Sequence, residues 1–371
     1  MRFVLILSFI ILSSISIHAQ GENQTWSLIK LEHQGPEDFV YDSIYNRLII
    51  PSGRRDRKHP ENSYGVFQVL DLDDHSVRTL EQDPELSEWI SLGIKSIPFD
   101  TTFQYITNAA KSGEDKGRIQ GLSIDENAVR IISPLIVEGD LPSSINNLRW
   151  VEGRGLYISN LYKAKTMVGG FLSNLKGEVY FAKKLGENLE MVLNVHGPNS
   201  FGLLDSTLYL TGSRERFLLK INEENNAADK IKTIPLVGGD NITIHGNKIY
   251  TTGSPKVLEV LKYMNEKRET AGSFIYEMTK ENGLLRCSRI ILVDPSVGMG
   301  MLSVVYKHQG AFYCGQVRGP EILHFKDDSS CLTELSTPKK NKYTRKIYGR
   351  YERLNRKEGV PLPQFVILKS K

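Results

Sequence analysis

Cysteine is scarce: the 371 residues include three, Cys287, Cys314 and Cys331. An odd count allows at most one bridge with a thiol left over, or pairing between molecules, so the fold must stand on its core. No two of them have C-x-x-C spacing, which argues against a zinc site. There is no Gly-rich phosphate loop and no Ser/His/Asp arrangement with a nucleophile elbow. Beyond the first twenty residues no apolar run approaches the roughly 20 residues that cross a bilayer. A basic body with a recognisable module is also lacking, which excludes nucleic-acid binding.

Composition is otherwise that of a globular protein, 40% hydrophobic and 24% charged, enough to build a sizeable core. The formal net charge of +4 is unevenly placed. From Pro338 to Lys371 eleven Lys and Arg face only Glu352 and Glu358, and without this tail the body is mildly acidic. Residues 331–371 therefore read as a basic C-terminal extension. It is either solvated and partly disordered or in touch with an anionic membrane or matrix.

At the other end, Arg2 precedes an apolar run from Phe3 to Ile17, and His18-Ala19-Gln20 offers a small residue for cleavage. Residues 1–19 read as a signal peptide, or as an uncleaved signal anchor, and place the chain in the secretory pathway, secreted or lumenal. Asn23-Gln24-Thr25 is then a glycosylation sequon. Asn241-Ile242-Thr243 is a second, but Asn241 is expected to serve as a buried ligand, which is incompatible with a glycan.

Between these ends, over 20–330, one pattern recurs: a Gly, Asp or Asn turn, a short apolar stretch, another turn, then an aromatic-rich strand ending in small residues. Clear copies are Gly35–Gly53, Ile145–Asn160, Pro198–Ser213 and Gly239–Ser254, with weaker ones at Gly93–Gly113 and Gly300–Gln316. Their interiors alternate as half-buried strands do, as in Leu208-Tyr209-Leu210. The spacing accommodates a four-stranded blade, and six copies make an all-β, six-bladed β-propeller. Helices are expected to be few, Pro255 to Arg268 being the best candidate.

In a propeller the innermost strands line a central channel, so equivalent turns converge at one mouth. Those positions are Glu37, Gly93, Asn146, Asn199, Asp240 and roughly Leu302, four of them with an oxygen-bearing side chain. Any one such Asn or Asp is ordinary in a turn. Their shared register is what points to a hard cation held by carboxylates and amide carbonyls.

With Gly-Pro-Glu-Asp at 35–38, Leu-Pro before Asn146-Asn147, Pro-Asn-Ser at 198–200 and Gly-Asp-Asn-Ile at 239–242, the chain resembles the paraoxonase/arylesterase family. More distantly it resembles the gluconolactonase and diisopropyl fluorophosphatase propellers. The resemblance implies two calcium ions stacked in the channel. The outer, catalytic ion would use Glu37, Asn146, Asn199, Asp240 and Asn241. The inner, structural ion would use Asp38, a carbonyl near Leu92, and Asn147, where Asn replaces the family's Asp. It also implies hydrolysis of a small lactone or aryl ester, with Asp240 as nucleophile or as the base that activates water.

The departures are as specific. The family's histidine pair falls on Leu92 and Ala109, a carboxylate of the next blade falls on Leu161, and no cysteine precedes Cys287 to tie the first strand to the last blade. A second expectation therefore stands beside the hydrolase. It is a non-enzymatic calcium-binding propeller that binds or helps mature a membrane protein, with membrane association through the N-terminus or the basic tail.

Overall fold

A computed structural model describes residues 25–54, 56, 59–97, 104–111, 117–133, 141, 144–161, 176–222 and 227–370. The N-terminal run and the Asn23 sequon lie outside the described residues. Antiparallel hairpins follow one another into six sheets, each one blade of a β-propeller.

Blade one comprises Val40–Asp42, Arg47–Arg54, Tyr64–Asp71 and Val77–Thr79. Blade two comprises Trp89–Ser96, Tyr105–Lys111, Gly117–Ile124 and Ala128–Ser133, with Glu81–Gln82 added parallel at its edge. Blade three is Ile145–Val151, Gly155–Asn160, Gly177–Ala182 and Glu190–Val195, and blade four is Pro198–Leu204, Thr207–Gly212, Phe217–Asn222 and Ala227–Pro235. Blade five begins with Gly239–His245, Lys248–Gly253, Ser273–Glu281 and Leu284–Val293. Its third hairpin turns on Asn282-Gly283, both at positive φ, the conformation a two-residue turn with matching twist requires.

Blade six has three strands of its own, Leu302–His308, Ala311–Gln316 and Glu321–Lys326. Its outer strand comes from the other end of the chain: Trp26–Lys30 pairs antiparallel with Glu321–Lys326, Trp26 opposite Phe325. Hydrogen bonds thus close the ring where a disulfide is missing. The Cys331 thiol adds a bond to the Thr25 carbonyl at 2.7 Å, and all three cysteines are free and buried.

Apolar clusters fill the seams between blades. Val40, Ile49 and Phe67 of blade one meet Ile94, Tyr105 and Leu122 of blade two, and Tyr157 and Val179 of blade three meet Phe201 and Leu210 of blade four.

Residues 331–370 are not a solvated extension. Gln364–Leu368 lies parallel to Leu284–Val293, with Ile290 opposite Phe365, and Thr333–Glu334 pairs beyond it, so blade five has six strands. The expected helix forms as Val257–Met264 (α1), and a second, Arg345–Glu358 (α2), precedes the last strand. On α2, Ile347 and Tyr351 are four apart, hence on one face, and both are buried in the blade-five core with Phe365 and Ile367. The Arg350 guanidinium donates to the Leu236 carbonyl at 2.7 Å. Six of the eleven basic residues of the tail lie on this docked helix, which composition alone conceals.

Candidate functional site

Five of the six innermost strands begin with the same irregularity. The register slips by one residue between Ser91 and Gly93, Ile145 and Asn147, Pro198 and Phe201, Gly239 and Ile242, and Leu302 and Val304. Such a bulge re-aims the side chains beside it. Here it turns two successive residues of each blade toward the channel. The outer ring is Glu37, Leu92, Asn146, Asn199, Asp240 and Ser303, and one step inward lie Asp38, Gly93, Asn147, Ser200, Asn241 and Val304. Blade two contributes Leu92 to the cavity where Gly93 is expected; Leu302 lines it as expected, with Ser303 bonded to Asp240 beside it.

The reason for the small polar residues closing each second strand is now visible. The Asn108 amide donates to the Asn146 carbonyl at 3.0 Å, and the Ser159 hydroxyl to that of Asn199 at 2.5 Å. Likewise Thr211 donates to Asp240 at 2.7 Å and Thr252 to Ser303 at 2.8 Å. Each donor reaches from one blade to the bulge of the next and fixes the ring residue there. Blade six has Gly315 in this place, because a Cβ would lie 2.2 Å from the Pro36 carbonyl oxygen. Blade one has Pro51, which has no donor to offer.

Five outer-ring residues, Glu37, Leu92, Asn146, Asn199 and Asp240, line the floor of a cavity of about 1090 Å³. Its walls include Ile90, Leu161, Val260 and Met264 of α1, Met301 and Val317, with Arg54, Lys267 and Arg318 toward the rim. α1 is fastened to blade six by Arg318, which donates to the Tyr263 carbonyl at 2.7 Å.

The floor is rich in oxygen. Asn199 and, one ring further in, Asn147 each carry a buried side-chain oxygen without a hydrogen-bond partner, as does Asn108 beside them. Asp240 keeps only a narrow opening to the cavity. Burial first, then the charge of Glu37, pushes its carboxyl up to about 8, against hydrogen bonds from Ser303 and Asn199. Two carboxylates so close cannot both stay ionised in a dry site without a counter-charge. Orphaned amide oxygens beside crowded carboxylates are the donor set of a hard cation. Glu37, Asn146, Asn199 and Asp240 fit one. Asn241 is engaged otherwise, its Oδ1 accepting from Asn147 at 2.8 Å and its Nδ2 donating to the Glu37 carbonyl at 2.6 Å. It is 2% exposed, so its sequon lies inside the fold.

The inner position does not fit a second ion. Asp38 is fully buried; its Oδ1 accepts from Phe39 N at 3.0 Å, and its Oδ2 from Ile94 N at 3.1 Å and from the Lys95 ammonium. Arg149, next to face this region, is pulled below its ordinary value by burial and held up by the charge of Asp38. Neither Lys95 nor Arg149 was singled out from the sequence. Their signal was a cation two residues beyond Gly93 and Asn147 on strands otherwise buried.

Among the described residues lining the cavity the sole histidine is His59, exposed and paired with Glu61 at 3.3 Å. Leu92 occupies the outer ring itself, and Ala109 is fully buried. No three His, Cys, Asp or Glu among the described residues form a metal cluster, since amide oxygens make up half of the floor.

No family profile and no curated protein matches the chain. Among solved structures, a Thermus thermophilus protein assigned as an oxidoreductase (glucose dehydrogenase) is similar at 12% identity, over 81% of this chain and 98% of that one, with a TM-score of 0.49. Virginiamycin B lyase of Staphylococcus aureus is similar at 11% identity over the same shares, with a TM-score of 0.45. A nidogen/laminin complex matches at 12% over 65% and 74%, with a TM-score of 0.41. Likenesses this distant speak for neither family nor chemistry. The six-bladed architecture rests on the chain's own sheet order.

Proposed function

We propose that this protein is a calcium-dependent hydrolase of small lactones or aryl esters, acting in the secretory pathway or outside the cell. The observation that carries the reading is the floor of the cavity, where Glu37, Asn146, Asn199 and Asp240 converge and the Asn199 oxygen has no partner among the described residues. Bound there, calcium would supply Lewis-acid polarisation of a carbonyl and a counter-charge for both carboxylates.

The chain's own residues do the rest. Ile90, Leu92, Val260 and Val317 offer apolar walls to an acyl chain or aryl ring and exclude water from the floor. Asp240 takes the proton of a water molecule as its oxygen adds to the carbonyl carbon, and that proton passes to the departing alkoxide as the ester bond breaks. Ser303 and Asn199 hold the Asp240 carboxyl in place by their hydrogen bonds. Glu37 adds negative charge beside Asp240.

A second reading, a binding propeller that keeps its cation for structure, is favoured by Leu92 and Ala109, which leave no imidazole over the floor. Turnover separates the two. The purified protein should be assayed on a δ-lactone, a γ-lactone and phenyl acetate, with calcium, with chelator, and as Asp240→Asn. Hydrolysis that needs calcium and disappears in Asp240→Asn supports the enzyme. Calcium binding with no turnover of any of the three rejects it and leaves the binding role.

A further inference from the structure

We infer that Lys95 is the channel's own inner cation: its ammonium takes the place at Asp38 where the resemblance expects a second calcium, so the channel holds one metal ion and not two. Both Asp38 oxygens are engaged: two backbone N–H groups and the ammonium take three of its roughly four lone-pair sites, within a site closed to solvent.

The charge count agrees with a lysine and disagrees with a divalent ion. An inner calcium would be held by two carboxylates, and this chain has one, because the second position is Asn147. One ammonium needs one carboxylate. The neutral Asn147 and the cationic Lys95 are therefore the two halves of a single exchange. Arg149, close enough for Asp38 to influence its ionisation, adds further positive charge and disfavours a divalent ion at the same spot.

The seam between blades one and two gives the pair its structural task. The hydroxyl and amide ties found from blade two to blade six are impossible there, since Pro51 sits where the donor would be. Asp38 of blade one, gripped by Ile94 N and Lys95 of blade two, is the tie at that seam. A covalently tethered ammonium does this at any calcium concentration, whereas a bound ion would not.

The inference is independent of hydrolysis, and only its count of one ion rests on the outer-ring reading. Equilibrium dialysis against calcium and thermal melts in chelator and in millimolar calcium test it on the full chain, as wild type, Asn199→Ala and Lys95→Met. Wild type should bind one calcium per chain, lost in Asn199→Ala. Lys95→Met should melt about 5–10 °C below wild type in chelator, because Asp38 is left buried and unpaired. Calcium should not restore that deficit or add an ion, because Asn147 and Arg149 still oppose a divalent ion at Asp38. Two ions in wild type, or a Lys95→Met protein that melts like wild type in chelator, overturns the inference. No ion in wild type with the Lys95→Met deficit in place upholds the lysine and rejects the outer-ring site. If Lys95→Met does not fold, the wild-type count alone decides.

Discussion

In the outer ring Glu37 and Asp240 line a cavity with Asn199, whose amide oxygen has no partner among the described residues; one residue further in, Asp38 is fully buried and held by three donors. Bulges in five blades, with Glu37 and Asp38 ahead of the first strand of blade one, build both rings, and similar residue types supply them. The difference lies in where the positive charge comes from. Inside, the protein carries its own on Lys95; outside, the ring residues line a cavity that a cation can enter. An oxygen-lined ring is thus no evidence for a metal until the cations of the neighbouring strands have been counted.

That contrast yields graded expectations. Asp38→Asn strands the Lys95 ammonium and should cost about 3–5 kcal/mol in urea unfolding, by the same amount with chelator and with calcium. A loss that calcium reverses would erase the distinction between the rings. Asp240→Asn should do the opposite: unfolding in chelator is unchanged or slightly improved, while calcium no longer raises the melting temperature. Ester turnover in that variant should fall at least about 100-fold. Asn146→Ala removes a partly exposed member of the same floor and should weaken calcium binding about tenfold, read by calorimetry, with little effect on the apo protein. The smallest change is expected for Thr211→Val, which releases the Asp240 carbonyl and should cost about 1 kcal/mol in either condition. A calcium affinity that drops in parallel would show that the blade-to-blade ties also position the floor.

Much of this was legible in the chain. The repeats give six blades, and the turns at Glu37, Asn146, Asn199 and Asp240 land together because residues that favour turns are also oxygen donors. The single-residue error at Gly93 arises because a bulge breaks the two-residue alternation on which strand reading depends. Lys95 and Arg149 escaped notice for a related reason: a cation within an alternating strand is usually taken as solvent-facing, and only the closed ring makes that face an interior. The tail was misjudged on charge. Ile347 and Tyr351 four apart, followed by the apolar run Phe365–Leu368, carried the true signal beneath eleven basic residues.

The way the ring is closed has a consequence for its assembly. Ser27 and His324, neighbours in blade six, are 297 positions apart in the chain. The ring therefore closes only through a pairing between distant parts of the chain, and until it forms a strand with unmatched backbone groups is free to pair with another molecule. Joining Lys371 to Thr25 by a short linker and opening the chain instead at Asp205-Ser206, a tight exposed hairpin in blade four, would leave only the tail and the linker between the two halves of blade six. Such a circular permutant should refold faster than the natural order and aggregate less on the way.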